Sequence, residues 1–164
     1  MTESPRTRPA APRLTIRADH LTGAAVLALL QLHLDEMHAF SPPDSVHALP
    51  AEALRAPGVT FWSAWSGDDL AGVAALKQID KAHGEIKSMR AAPAWRGRGV
   101  GQMLLDHLIA EARRRGYERL SLETGRPAPF HAAQKLYHAN GFAECPPFAD
   151  YVADDFSMCM SRTL

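Results

Sequence analysis

Three glycines fall within five residues, Gly97, Gly99 and Gly101, with Arg96 and Arg98 between and before them, directly ahead of a segment with helical periodicity. Val100, Leu104 and Leu108 repeat on one stripe of that segment, and Leu105, Ile109 and Ala112 repeat on its neighbour. Upstream, Gly84 to Ala91 reads as a strand, followed by a short turn containing Pro93. A strand, a glycine-rich loop and a helix in that order aim several unpaired backbone N–H groups and the positive end of a helix dipole at one point. Glycines leave room for a large anion to approach the backbone, and arginines add charge that binds phosphate oxygens. The stretch from Arg96 to Gly101 therefore predicts a pyrophosphate seat; a glycine-rich turn that only starts a helix is the competing reading. Neither common nucleotide fingerprint fits. No Gly-Lys-Ser or Gly-Lys-Thr is present, and Gln102 stands where a dinucleotide loop needs its third glycine.

The remaining elements follow from pattern and punctuation. Leu14 to Arg17 reads as a short strand, and Thr22 as the cap of a helix reaching about His38. Phe40 to Pro50 is a loop because Pro42-Pro43 forbids helix and ladder alike. Ala51 to Arg55 adds a helical turn, and Val59–Trp65, Leu70–Ile79, Leu120–Glu123, Phe142–Cys145 and Phe156–Met160 read as strands. A last helix runs from Phe130 to Asn140 and stops at Gly141. This mixed order predicts one α/β or α+β domain over residues 14–164, with helices on both faces of the sheet.

Composition narrows function more than fold. Lys plus Arg and Asp plus Glu each number 18, so the net charge is zero and nothing steers the whole surface towards nucleic acid or an anionic membrane. An anion site must be local. Residues 1–13 carry Pro5, Pro9, Pro12, Arg6, Arg8 and Arg13 without an apolar stretch, and are expected to be a disordered leader rather than a secretory signal. No apolar run approaches the roughly 20 residues that span a bilayer. The expected compartment is the cytoplasm, with Cys145 and Cys159 as reduced thiols.

With these residues in place, the chain resembles the GNAT (Gcn5-related N-acetyltransferase) superfamily. Arg96, Gly99 and Gly101 match its pyrophosphate loop, and Pro93 sits where the family often has proline. Ala133-Gln134-Lys135-Leu136-Tyr137-His138-Ala139-Asn140-Gly141-Phe142 looks like its late helix. The stretches Ser41–Pro43, Glu85–Met89 and Pro147–Tyr151 are similar to the YsnE-type branch. The resemblance covers residues 14–164. It implies a mostly antiparallel sheet with a splayed strand pair and acetyl-CoA as cosubstrate. It also implies acetyl transfer to the amine of a small molecule by direct attack in a ternary complex. Through it, the main chain of Met89 and Ala91 is expected to hold the acetyl-pantetheine arm, and Arg96, Gly97, Arg98, Gly99, Val100 and Gly101 the pyrophosphate.

Acetyl transfer also needs a base for the amine and a proton for the leaving thiolate. Strand alternation predicts Glu85, Lys87, Met89 and Ala91 on one face. Some family members carry a catalytic glutamate six residues before the acetyl-holding position, which makes Glu85 the first candidate base. Glu123 is the second and Glu36 the third. Tyr137 matches the family tyrosine that protonates the thiolate, although core packing would also explain its ring. Neither cysteine is flanked by a base, so a covalent route is not expected. No metal is expected: His33 and His38 lie about 140° apart around a helix, unlike a His-Glu-x-x-His pair. The segment Phe40 to His47 is expected to border the acceptor. The alternatives are a protein or peptide acceptor, or a non-catalytic acyl-CoA-binding module. A homodimer is compatible with the family, and no nucleic-acid or membrane partner is expected.

Overall fold

The computed structural model describes residues 13–164, so the expected leader lies outside the described residues except for Arg13. Seven strands form one sheet in the order β1-β2-β3-β4-β5-β7-β6. They are β1 (Thr15–Ala18), β2 (Val59–Ser66), β3 (Asp69–Gln78), β4 (His83–Ala91), β5 (Arg119–Gly125), β6 (Ala143–Cys145) and β7 (Ser157–Thr163). Every neighbouring pair is antiparallel except β4–β5, which is parallel. The helices are α1 (Ala24–Phe40), α2 (Ala51–Leu54), α3 (Val100–Arg114) and α4 (His131–Ala139). No helix among the described residues is long and apolar enough to cross a membrane.

Strand alternation divides the core between the two faces. Phe61, Val73 and Ala75 pack with Val26, Leu29, Leu30 of α1 and Leu54 of α2. Trp62, Ala74, Leu76, Ile86, Leu120 and Leu122 pack with Leu104, Leu105 and Leu108 of α3 and with Tyr137 of α4. Helix α3 ends as its sequence demands, with Arg113 and Arg114 in the last turn and Gly116 at φ +79° behind it. Cys145 and Cys159 oppose each other across β6 and β7 as free thiols.

Two expectations are corrected. Thr22 does not cap α1: Gly23 holds the cap position, with no side-chain hydrogen bond. The second correction bears on the site. Arg90 pairs with Val73 and Lys87 with Ala75, so Ser88 and Met89 together oppose Ala74. Such a bulge reverses side-chain parity. Glu85, Lys87 and Arg90 consequently share the α1 face, while Ile86, Met89 and Ala91 pack against the α3 core. Ser88 takes φ +50°, a left-handed conformation uncommon for a residue with a Cβ.

Just before the bulge, β4 and β5 part. Their ladder contains only His83–Arg119, Gly84–Leu120 and Glu85–Ser121. From Ile86 onward, the β4 groups facing away from β3 have no strand partner, and a wedge opens between the strands. Gly72 allows the start of α3 to sit directly on the sheet beside this wedge. A Cβ there would lie 2.7 Å from the Arg90 carbonyl oxygen and 2.9 Å from Val100 Cγ1. We expect Gly72→Ala to lower stability by about 1–3 kcal/mol through overpacking, read as a reduced midpoint in urea or heat. An unchanged midpoint would show that α3 can shift freely.

Candidate active site

The wedge widens into a cavity of about 780 Å³ that runs from the glycine-rich loop to the α1 side of the sheet. At the loop end, Gly97 (φ +72°) and Gly99 (φ +85°) both adopt left-handed backbone. A Cβ built at either would meet nothing within 4 Å, so the space in front of them is open. Gly99 is the cap residue of α3 and brings no side-chain cap, and the first helical bond there runs from the Met103 N–H to the Gly99 carbonyl. The N–H groups of the preceding residues in the first turn have no intrahelical acceptor. Gly101 lines the same end, 3.1 Å from Leu136 for a Cβ placed on it. Arg96 lines the cavity with its side chain 58% exposed. Diphosphate oxygens fit this arrangement: open space, free donors, a dipole end and a reachable cation.

Arg98 and Val100 stand differently. The Arg98 guanidinium lies over the Trp95 ring, 3.9 Å from its centre, and the residue is not on the cavity wall. Val100 is buried in the core, which leaves only its backbone N–H to face a ligand. Met89 and Ala91 both line the cavity along the open edge of β4.

Across the wedge, Glu123 and Thr124 of β5 form the opposite wall together with Ala133, Leu136 and Tyr137 of α4. Burial pushes Tyr137 above the ordinary phenol value and keeps its proton in place. Its ring meets Phe142 edge-on at 5.7 Å. Burial also pushes Glu123 up to about 7, against the pull of Ser157 and Lys87 and with added repulsion from Asp154 and Glu85.

Glu85 lies elsewhere. It is 2% exposed, does not line the cavity, and accepts a hydrogen bond from the Tyr151 hydroxyl. Lys87 Nζ sits 3.2 Å from Glu85 Oε1 and donates to Tyr151 Oη at 2.8 Å and to the His47 carbonyl at 3.3 Å. Burial and the Glu85 charge hold the Tyr151 phenol far above its usual range, so it remains a donor. Glu85 thus fixes a lysine and a tyrosine that do reach the cavity wall. Glu36 is also engaged: its oxygens lie 2.6 Å from Arg90 Nη2 and 3.5 Å from Arg96 Nη2. The structure therefore brings Glu123, Tyr137, Met89, Ala91, Arg96, Gly97, Gly99 and Gly101 to one cavity, and leaves Glu85, Arg98 and the Val100 side chain off its wall.

Sequence reasoning passed over Tyr151 as a site residue, because it lies in an irregular loop without periodicity. It also passed over Arg90, whose inward face is set by the bulge. The expected border segment is present, with Phe40, Ser41 and Ser45 to Ala48 on the wall. Among the described residues no group of three or more His, Cys, Asp or Glu could hold a metal ion.

Comparison with known proteins agrees with this geometry. Residues 26–142 match the Acetyltransferase (GNAT) family. The chain is 54% identical over 149 residues to the uncharacterized N-acetyltransferase YsnE of Bacillus subtilis (strain 168), covering 91% of this chain and 99% of that protein. A proposed acyl-CoA N-acyltransferase from Klebsiella pneumoniae superposes with a TM-score of 0.73 at 31% identity, covering 92% of this chain and 97% of that one. A GNAT family acetyltransferase from Elizabethkingia anophelis, solved with acetyl-CoA bound, shares the fold with a TM-score of 0.65 at 18% identity, over 92% and 98% of the chains. A family match over residues 26–142 and 54% identity across nearly the whole of an N-acetyltransferase relative, on a sheet with this splayed parallel pair, make this protein a member of the GNAT acetyltransferase family.

Proposed function

We propose that the protein transfers the acetyl group of acetyl-CoA to the amine of a small molecule, by direct attack within a ternary complex. One observation carries this reading: a single cavity joins the glycine-rich loop to a half-buried carboxyl and a buried phenol. Acetyl-CoA supplies a thioester whose carbonyl carbon the amine attacks, with loss of the coenzyme A thiolate. Arg96 and the backbone of Gly97 to Gly101 would hold its pyrophosphate. The open edge of β4 at Met89 and Ala91 would pair with the pantetheine arm and direct the Ala91 N–H at the carbonyl oxygen. A preorganised donor of that kind is worth about 10²–10³ in rate.

Glu123 takes the proton from the attacking amine, directly or through one water, because it lines the cavity and titrates near neutrality. Tyr137 gives its proton to the departing sulfur. Burial pushes the Cys159 thiol up to about 11, which disfavours the thiolate a covalent route would need. A second reading keeps Glu85 as the base: the Tyr151 hydroxyl, which lines the cavity and donates to Glu85, would relay the proton.

Variants separate the two. Under the first, Glu123→Gln lowers kcat by about 10²–10⁴ and removes the rise of kcat/KM with pH through about 7, whereas Glu85→Gln leaves that rise intact. Loss of the rise in Glu85→Gln and its survival in Glu123→Gln would establish the relay instead. Tyr137→Phe should slow turnover by at least roughly tenfold while coenzyme A binding, measured by calorimetry, persists.

Glu123 also makes a prediction about stability. Its folded value is raised from 4.5 to about 7, so the unfolded chain releases this proton at lower pH than the folded one. The resulting destabilisation grows as pH rises from 4.5 to 7 and is constant above that. Glu123→Gln should therefore be more stable than the parent at pH 8 by about 1–3 kcal/mol, with the difference vanishing near pH 4. Equal stability at pH 8 would mean the carboxyl is not desolvated.

For the phosphate loop, Gly99→Glu should fold yet lose coenzyme A binding. Gly99→Asn, which tolerates left-handed backbone, serves as the control that retains it. Binding retained in Gly99→Glu would move the pyrophosphate elsewhere. The decisive assay follows free thiol release from acetyl-CoA across a panel of amines and peptides.

A further inference from the structure

The α1 wall of the cavity holds polar atoms that the fold itself leaves without partners. Arg90 Nε and Nη2, His33 Nδ1 and Ser88 Oγ are buried, have no hydrogen-bond partner among the described residues, and belong to residues lining the cavity. The Arg90 side chain is only 8% exposed. Buried donors left without an acceptor forfeit the hydration they lose on folding. A cluster of them on one cavity wall points to a ligand that completes them.

The cluster has a definite chemistry. Arg90 Nη2 lies 2.6 Å from Glu36 as an ion pair without an aligned hydrogen bond, and its Nε–H is a permanent donor that the pair does not reach. His33 lies one helical turn before Glu36 on α1, close enough to Arg90 for that charge to act on it. Burial first, and Arg90 second, pull the His33 imidazole down to about 4, so the ring is neutral and one nitrogen is free to donate. The Ser88 hydroxyl adds a third donor. What is missing is an oxygen-rich, anionic partner.

Position adds the rest. Arg90 pairs with Val73 and so faces the α1 side of the sheet, away from the α3 side where Met89 and Ala91 pack. The far wall of the same cavity carries Glu123. Met37, Phe40 and Val46 supply apolar surface near α1. Resting on the acetyltransferase reading above, we infer that the acceptor is an amino acid with an apolar side chain. Its amine faces Glu123, and its carboxylate seats on Arg90 Nε and His33 Nδ1.

The test compares matched acceptors: phenylalanine, phenylalaninamide and phenethylamine, and likewise leucine, leucinamide and isoamylamine. We expect kcat/KM for the amino acid to exceed that for the amide and the decarboxylated amine by about 10–100-fold, as hydrogen bonds to a charged group provide. Amides or simple amines acetylated as fast as the amino acids would overturn the carboxylate seat while leaving the acetyltransferase reading in force. Arg90→Lys keeps the positive charge for Glu36 but removes the Nε–H, and His33→Phe removes the ring donor; each should drive the amino acid to amine ratio towards one. A ratio unchanged in both would also overturn the assignment.

Binding of products gives an arm that needs no turnover. In the presence of coenzyme A, N-acetylphenylalanine should raise the melting temperature more than N-acetylphenethylamine does, and the His33 imidazole should titrate at higher pH when the carboxylate is present. The reverse order, or an unmoved His33, would sink the proposal even if no acceptor were turned over. Acetylation of no amine at all, with N-acetylphenylalanine still bound, would instead indict the catalytic reading.

Discussion

The parting of β4 from β5 after three paired residues is the constraint from which the site follows. A parallel ladder that continued would bring Ile86 to Ala91 against Leu122 to Gly125 and leave no volume between them. The bulge at Ser88 and Met89 accompanies the opening and rotates the later side chains of β4 by half a turn. One wall of the cavity is therefore main chain with unpaired donors and acceptors, a surface suited to an amide-bearing arm. The glycine-rich loop can be useful only because it opens at the mouth of that wedge.

Two glutamates on adjacent strands illustrate how environment assigns roles to identical side chains. Glu85 is the more deeply buried but has a lysine and a phenol on its oxygens, which tie it into the scaffold. Among the described residues Glu123 has no ion-pair partner, and burial pushes it towards neutrality. A carboxyl held near its titration point can exchange protons at physiological pH, whereas one clamped by a cation serves better as an anchor. The anchor also has a reach: through Lys87 and Tyr151 it fastens the segment around His47 to the chain around Tyr151.

Much of this was legible in the sequence, and the reasons are physical. Helical periodicity from Val100 to Ala112 and strong alternation in the strands are dictated by burial, so most of those elements fall within a residue or two of their expected bounds; β7 runs three residues past Met160 because it stays paired with β5 to Arg119. The glycine-rich loop is legible because its three glycines and two arginines fall within six residues, directly ahead of a helical pattern. The splayed pair followed from family likeness rather than from pattern. The face of Arg90 and Met89 was illegible because a bulge at a serine with positive φ has no local signature, and a single inserted residue inverts every later side chain on the strand. The Glu36–Arg90 and Glu85–Tyr151 contacts join residues 54 and 66 positions apart, with nothing in either neighbourhood to announce the partner.

Glu36 is divided between a guanidinium on the sheet and another on the phosphate loop, and this makes the two ends of the cavity share one carboxylate. Were anionic oxygens to take Arg96, as proposed for the pyrophosphate, Glu36 would be left to Arg90 alone, and the charge presented to the α1 side would change. Thermodynamic reciprocity then requires the converse with the same factor. On the proposed reading, the affinities at the two ends of the cavity are then set jointly, by the loyalty of a single side chain.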